Sequence, residues 1–314
     1  MPLGTIGAMT YSVLLRDPAT GGFAVAVQSH YLAVGAVVPW ALAGVGAVAT
    51  QAVPDRGYGP RGLAALEAGA GAATALRGLV AADEARDLRQ VAMIDATGAT
   101  AVHTGARCLP AAGHRSGDGW CVQGNLLTDE SVLDAMAGAI TATGHPDPAR
   151  RLLAALQAGE DAGGDLRGRQ SAALLVVSGV RGPAPHDQVL VDLRVDDSAE
   201  PITDLARLLE RHHAAAALGA AFGLVIDGDE QLPAGLVDAV TAGTRTVEPV
   251  LGADNPEGPL WRAVLLARSG RLAEAHTEYR AAAARQPRLR NVGPRLAAAG
   301  LLSAEAAAAL CDPD

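Results

Sequence analysis

Thr10 heads the first alternating segment of the chain, Thr10-Tyr11-Ser12-Val13-Leu14-Leu15-Arg16. A turn through Asp17-Pro18-Ala19-Thr20-Gly21-Gly22 leads it back into Phe23-Ala24-Val25-Ala26-Val27. A hydroxyl at the exposed start of such a hairpin can attack a carbonyl if the residue's own freed α-amine serves as base, because that amine titrates near neutrality, at about 7.7–8.0. The chemistry requires that Met9 and the residues before it be removed. Otherwise Thr10 is a strand-edge threonine with no reacting role.

Other polar clusters fall at the ends of expected strands, where a sheet can aim them. Gln28-Ser29-His30 closes the second strand, and His30 is either a base or ligand or a hydrogen-bonded structural residue beside Tyr31. Gln51 ends a glycine-rich strand, and Asp55-Arg56-Gly57-Tyr58-Gly59-Pro60-Arg61 follows it. Arg56 and Arg61 suit recognition of a small polar or anionic group, and equally an internal ion pair on a solvated loop. Trp120-Cys121-Val122-Gln123-Gly124-Asn125 ends in an amide side chain and glycine-flanked backbone donors, the chemistry an oxyanion hole requires. Its alternative is a turn opened by Asn125, with Thr128 or Asp129 capping the next helix. In Gly163-Gly164-Asp165-Leu166-Arg167-Gly168-Arg169-Gln170-Ser171 the aspartate and two arginines can orient an amine or a carboxylate ahead of a very apolar strand. Asp196-Asp197 are adjacent carboxylates with no further ligands in view, so no metal site and no cofactor is expected.

Rigid elements must hold these side chains. Periodicity and turn residues predict strands over 10–16, 23–27, 35–38, 44–51, 89–95, 100–104, 120–124, 171–177 and 188–195. Helices are expected over 63–80 with a break at 69–71, and over 131–143, 149–158 and 201–218, while 57–62 reads as a loop. This order predicts an α+β arrangement with helices packed on mostly antiparallel sheets. Beyond about Gly219 the pattern turns helical, giving domains over 1–222 and 223–314. Residues 259–287 look like a tetratricopeptide-type helix pair, with Ala263, Leu266, Gly270, Ala275, Tyr279, Ala282 and Pro287 in place. One such unit cannot bury its own face, so it must dock on the first domain, on a partner helix or on another subunit, and a homo-oligomer formed through these helices is the expectation.

Composition narrows the function classes. The 314 residues are 49% apolar but only 3% aromatic, which predicts a close-packed core of small side chains. A net charge of −9 without a basic stripe argues against a nucleic-acid partner. All 25 basic residues are arginine, which removes lysine Schiff bases and lysine general bases. Three widely spaced cysteines imply neither a disulfide framework nor a zinc site and suit a reducing cytoplasm. Residues 1–8 are too short and uncharged for a secretory signal, and the longest apolar stretch, 36–51, is broken by Pro39, Gly44 and Gly46, so no membrane partner is expected.

Several blocks together resemble domain-of-unknown-function family 1028, a bacterial family. They are Met9-Thr10-Tyr11-Ser12-Val13, Ala33-Val34-Gly35-Ala36-Val37-Val38-Pro39, Gly46-Ala47-Val48-Ala49-Thr50-Gln51, Val122-Gln123-Gly124-Asn125, Gly164-Asp165-Leu166-Arg167-Gly168-Arg169-Gln170-Ser171-Ala172-Ala173-Leu174 and Val191-Asp192-Leu193-Arg194-Val195-Asp196-Asp197. The similarity runs from Met9 to about His213. That family looks like a member of the N-terminal-nucleophile hydrolase superfamily, which implies a four-layer α/β/β/α sandwich and hydrolysis of small amides. The resemblance maps the nucleophile onto Thr10. Members start near the methionine matching Met9, so this chain carries eight extra residues, lost either by starting at Met9 or by autocatalytic cleavage before Thr10. The proteasome-like branch pairs its threonine with a lysine, which this chain lacks. On these expectations Thr10, Asn125 and Asp165 are catalytic: nucleophile, oxyanion donor and orienter of the amine. Ser29, Gln51, Arg56, Arg61, Gln123, Arg167, Arg169 and Ser171 would bind a polar or carboxylate-bearing amide. A sandwich without its catalytic amine would instead bind a metabolite or serve in assembly.

Overall fold

The computed structural model describes residues 10–142, 145–227 and 232–311, so the expected processing ahead of Thr10 lies outside the described residues. The chain divides into two compact units, Met1–Leu209 and Glu210–Asp314.

In chain order the first unit contains strands β1 (Thr10–Arg16), β2 (Phe23–Ser29), β3 (Pro39–Leu42) and β4 (Gly46–Ala52), then helices α1 (Tyr58–Glu67) and α2 (Ala72–Ala81). Strands β5 (Arg89–Asp95), β6 (Thr100–Thr104), β7 (Gly113–Gly117) and β8 (Trp120–Gly124) follow, then α3 (Ser131–Ala142), α4 (Pro148–Asp161), β9 (Ser171–Val177), β10 (Val189–Val195) and the start of α5 (Pro201–Asp227). The strands form a six-stranded sheet in the order β10-β9-β2-β1-β8-β7 and a four-stranded sheet in the order β3-β4-β5-β6. Every pairing is antiparallel.

Two-residue alternation sends each strand's side chains to two different environments. From the six-stranded sheet, Tyr11, Val13, Leu15, Ala24, Ala26 and Leu174 pack with Leu133, Met136 and Ile140 of α3, Leu152 and Leu156 of α4, and Leu205 of α5. The intervening residues Leu14, Phe23, Val25 and Val27 meet Ala47, Ala49, Ala92 and Ile94 of the four-stranded sheet. The alternate residues of that sheet, Val48, Val91 and Met93, are covered by Tyr58, Leu63, Leu66 and Leu76. Alanines on β4 and β5 fill the layer between the sheets, as the small-residue composition predicts.

The structure departs from the sequence reading in four places. Residues 35–38 are not a strand: Val34–Ala36 is a 3-10 turn entered through Ala33 at φ 55°. A strand begins instead at Pro39, on the edge of its sheet, where a residue without an N–H is tolerated. Residues 113–117 form β7, whose exposed residues are His114 and Ser116 and whose half-buried ones are Gly113, Arg115 and Gly117, so it carries no apolar set. Helix α1 starts at Tyr58 inside the expected loop, with the Asp55 carboxylate accepting from Gly57 N at 2.8 Å and Pro60 in the first turn. Helix α5 runs past 218 to Asp227, because Ala214-Ala215-Ala216-Ala217 favours its continuation, and the division between the two compact units, 209/210, falls within it.

The second unit continues with α6 (Ala234–Leu251), α7 (Glu257–Arg268), α8 (Leu272–Arg285), α9 (Gly293–Ala298) and α10 (Ala304–Cys311). Helices α7 and α8 are joined through Gly270 at φ 77°, a left-handed position that suits glycine. Val264 and Leu266 pack with Ala275, Tyr279, Leu296 and Leu310. Arg262 is buried between Glu248 at 2.6 Å and Glu278 at 2.8 Å, tying α6, α7 and α8 together. Among the described residues no helix is long and apolar enough to cross a membrane.

Asp95 joins two elements with one carboxylate. Its Oδ2 accepts from Ala72 N at the start of α2 at 2.9 Å, and its Oδ1 accepts from Thr97 N at 2.9 Å and Thr97 Oγ1 at 2.7 Å in the β5–β6 turn. Burial opposes the charge on Asp95, but the bonds from Thr97, Ala72 and Ala99 outweigh it and hold its carboxyl below the usual range. The stabilisation is therefore fully present above the unfolded pKa of about 3.9 and is lost as pH falls through the lower folded value. Urea denaturation should find Asp95→Asn destabilised above pH 4, with the deficit shrinking as pH drops further. A second pair of variants tests the packing. A Cβ at Gly59 would lie 2.2 Å from Trp40 Cδ2, whereas one at Gly78 meets nothing within 4 Å. Gly59→Ala should cost about 1–3 kcal/mol, and Gly78→Ala on exposed α2 should gain about 1 kcal/mol in the same assay.

Candidate active site

The layer between the sheets is apolar along most of its length and turns polar at the end where β1 begins. Ser12 shares a strand face with Leu14, Ser29 with Val27, Gln51 with Ala49, Gln90 with Ala92 and Gln123 with Cys121, and those apolar neighbours belong to the core between the sheets. Thr10, Ser12, Ser29, Gln51, Gln90, Gln123 and Asn125 are all completely buried.

Hydrogen bonds link the members of this group. Thr10 Oγ1 donates to Ser29 Oγ at 3.0 Å. The Thr10 carbonyl accepts from Gln51 Nε2 at 3.1 Å and from Asn125 N at 3.1 Å, and Thr10 N donates to the Asn125 carbonyl at 3.3 Å. Ser12 Oγ donates to Gln51 Oε1 at 2.7 Å and accepts from Gln123 Nε2 at 3.2 Å. Gln90 Oε1 receives Gln51 Nε2 and Asn125 Nδ2, both at 2.9 Å, while Gln90 Nε2 donates to the carbonyls of Gly124 at 2.8 Å and Gly113 at 3.0 Å. These seven side chains are uncharged hydroxyls and amides, and the bonds lead out of the group through Gln90 Nε2, which also donates to Thr104 Oγ1 at 3.1 Å, itself 3.1 Å from His114 Nδ1. Such a site can orient a hydroxyl and a carbonyl without reorganising water.

Thr10, Ser29, Gln51, Gln123 and Asn125, all expected from the sequence, are thus brought together. Gln90 and Ser12 join them without having been singled out. Their signal was a polar residue on a strand face otherwise given to Ala92 and Ile94, or to Leu14. Asn125 differs from its expected part: its Nδ2 serves Gln90, and its one unpartnered polar atom, Oδ1, is an acceptor.

The other expected residues bond outside the network. The Asp165 side chain is wholly buried and accepts from Arg167 N at 2.9 Å, Arg167 Nε at 3.1 Å, Arg167 Nη2 at 2.8 Å and His30 N at 3.1 Å. Four donors fill the lone-pair sites of a carboxylate, so Asp165 clamps its own loop to the end of β2. Arg56 donates to the Ala36 carbonyl at 2.6 Å, and Arg61 pairs with Asp55 at 2.6 Å, with its guanidinium 5.7 Å from the centroid of the Tyr58 ring. Arg169 pairs with Glu160 at 3.3 Å and with Glu200. Ser171 donates to the Tyr31 carbonyl at 2.5 Å and accepts from Val34 N at 3.1 Å. On the opposite face of β1, Tyr11 OH donates to Glu160 Oε2 at 2.5 Å, and burial together with the Glu160 charge drives its pKa well above the ordinary tyrosine value.

Backbone strain gathers at the same end. Among the described residues the non-glycine positions with positive φ are Ala33 at 55°, Ala52 at 70° and Leu126 at 49°. They follow Ser29, Gln51 and Asn125 within four residues. Strained positions persist only where surrounding structure over-determines them, and they cluster at functional sites.

Replacing Gln90 with leucine would strand Asn125 Nδ2 and remove one partner each from Gln51 Nε2 and two main-chain carbonyls. Chemical denaturation should report a loss of at least about 2 kcal/mol, against less than about 1 kcal/mol for Arg61→Ala at the exposed Asp55 pair.

The family model of DUF1028, a family of unknown function, matches residues 10–205, from the first residue of β1 into α5. A crystal structure of a Silicibacter pomeroyi protein of the same family is similar at a TM-score of 0.59 and 34% sequence identity, over 65% of this chain and 86% of that one. No curated protein matches the sequence. With its first unit matched from Thr10 onward, the chain belongs to DUF1028.

Proposed function

We propose that the first unit is an amide hydrolase of the N-terminal-nucleophile kind, with Thr10 as nucleophile once the residues before it are lost. The observation that carries this reading is the set of bonds to Thr10: its hydroxyl, carbonyl and nitrogen are held by Ser29, Gln51 and Asn125, none of which has a side chain that can serve as base. The α-amine of a freed Thr10 would supply the missing base. In the same reading the two sheets and their helices form the α/β/β/α sandwich of that superfamily, and α7–α8 is a tetratricopeptide-like pair through which copies of the chain assemble.

The proposed reaction runs in two halves. Thr10 Oγ attacks the carbonyl carbon of a small amide, and its proton passes through a water to the amine. The backbone N–H groups of Asn125 and Leu126, which donate to the Thr10 and Leu109 carbonyls before substrate binds, would turn to the oxyanion. The amine proton then moves to the departing nitrogen as the C–N bond breaks, leaving an ester on Oγ. Attack by water on that ester releases the acid and restores the hydroxyl.

Three outcomes are expected. Intact mass of active protein begins at Thr10, and Thr10→Ala lowers hydrolysis of small N-acyl amides by at least about 10³-fold, while Thr10→Ser retains part of it. Because the base must be unprotonated, the rate rises with pH through about 7.7–8.0. Full activity in protein that retains Met1 would overturn the proposal.

A further inference from the structure

A cavity of about 190 Å³ lies beside the polar end of the first unit. Ala52 and Val53 after β4, Leu88 before β5, Arg107, Cys108 and Leu109 between β6 and β7, and Asn125 after β8 form its walls. Two of these walls continue directly into the residues that hold Thr10. Asn125 exchanges main-chain hydrogen bonds with Thr10 in both directions, and Gln51, next to Ala52, binds the Thr10 carbonyl. One wall residue, Ala52, is also one of the strained positions.

Ala52, Val53, Leu88 and Leu109 make the walls mostly apolar, and the Cys108 thiol is turned to the Arg89 carbonyl at 3.4 Å. Two polar side-chain groups of these wall residues lack a partner among the described residues. The first is Asn125 Oδ1, and the network fixes its orientation. Gln90 Nε2 lies against the carbonyls of Gly113 and Gly124, which can only accept, so Gln90 Oε1 must face Asn125 and Gln51, and both of these must donate to it. Asn125 Nδ2 is thereby turned to Gln90, and Oδ1 is left as a fully buried acceptor with no partner among the described residues. Buried acceptors in native proteins are ordinarily satisfied, by protein, water or ligand. The second group is the exposed Arg107, whose main-chain N donates to the Asp87 carbonyl and whose guanidinium has no partner among the described residues.

We infer that this cavity binds a small anionic amide, whose N–H donates to Asn125 Oδ1, whose carboxylate meets Arg107 and whose short aliphatic part lies among Val53, Leu88 and Leu109. An N-acylated aliphatic amino acid carries all three groups. The inference rests on the proposed role of Thr10 in one respect: the N–H held by Asn125 would belong to the bond that Thr10 breaks. Asn125 then recognises the nitrogen side of the amide, and the oxyanion falls to backbone donors.

Calorimetric titration of the full chain with three probes tests this. N-Acetyl-L-leucine is expected to bind saturably, and its N-methylated analogue, which lacks the N–H, at least about tenfold more weakly. Arg107→Gln should weaken N-acetyl-L-leucine about tenfold and leave the uncharged N-acetyl-L-leucinamide unaffected. Leu109→Trp, which fills the cavity from an exposed position, should abolish binding of both, with circular dichroism showing that each variant is folded. Equal affinity for the N-methylated probe, an unchanged affinity in Arg107→Gln, or no binding of N-acetyl-L-leucine at millimolar concentration would each overturn the inference. Thr10→Ala separates it from the hydrolase proposal. Binding retained there supports the pocket whether or not Thr10 reacts, whereas hydrolysis of other amides by protein that does not bind N-acetyl-L-leucine sinks the pocket and leaves the nucleophile standing.

Discussion

The first unit depends on the way its two sheets are locked at one end. Apolar contact between Leu14, Val25, Val27, Ala49 and Ile94 holds the sheets together but has little directional preference. Direction comes from Gln51 and Gln90, side chains of the four-stranded sheet that reach Thr10, Gly113, Gly124 and Asn125 of the other. Each amide has one donor end and one acceptor end, so its partners cannot be exchanged without leaving a buried group unpaired. Gln90 satisfies both kinds at once, and the relative setting of the two sheets follows from it. The same bonds set the position of Thr10, so the scaffold and the candidate site are fixed by one set of interactions.

Much of this was legible in the sequence. Thr10, Ser29, Gln51, Gln123 and Asn125 stand at or next to the ends of largely apolar strands, which marks them as polar groups at a sheet's end. Gln90 escaped because it stands second in its strand behind Arg89, where a polar pair reads as the end of a loop. Strand β7 escaped for a related reason: it is short, at a sheet edge and half exposed, and it carries histidine, arginine and serine instead of an apolar face. The arginines show a different limit. A guanidinium can pair with any carboxylate that tertiary structure brings near, and Arg169 finds Glu160 on α4 and Glu200 just before α5, neither of them close to it in sequence. Spacing identifies an arginine as available but says nothing of which acid reaches it.

The second unit uses another strategy. Its helices are rich in alanine, and an ion ladder links α6, α7 and α8, buried at Glu278, Arg262 and Glu248 and open to solvent at Arg245. Buried charge of this kind contributes little net stability, because desolvation offsets attraction, but it penalises any packing that separates the partners. The setting of the two sheets in the first unit thus rests on neutral dipoles, and that of α6, α7 and α8 in the second on paired charges.

Adjacent residues of β1 face opposite ways, Thr10 into the layer between the sheets and Tyr11 into the layer beneath the helices, where its hydroxyl is bound to Glu160 on α4. A slip of β1 by one residue would exchange these faces, thrusting a phenol among the glutamines and withdrawing the threonine. The Tyr11–Glu160 bond thus acts as an index pin, and a helix on the far side of the sheet decides which residue of the strand can stand at the candidate site.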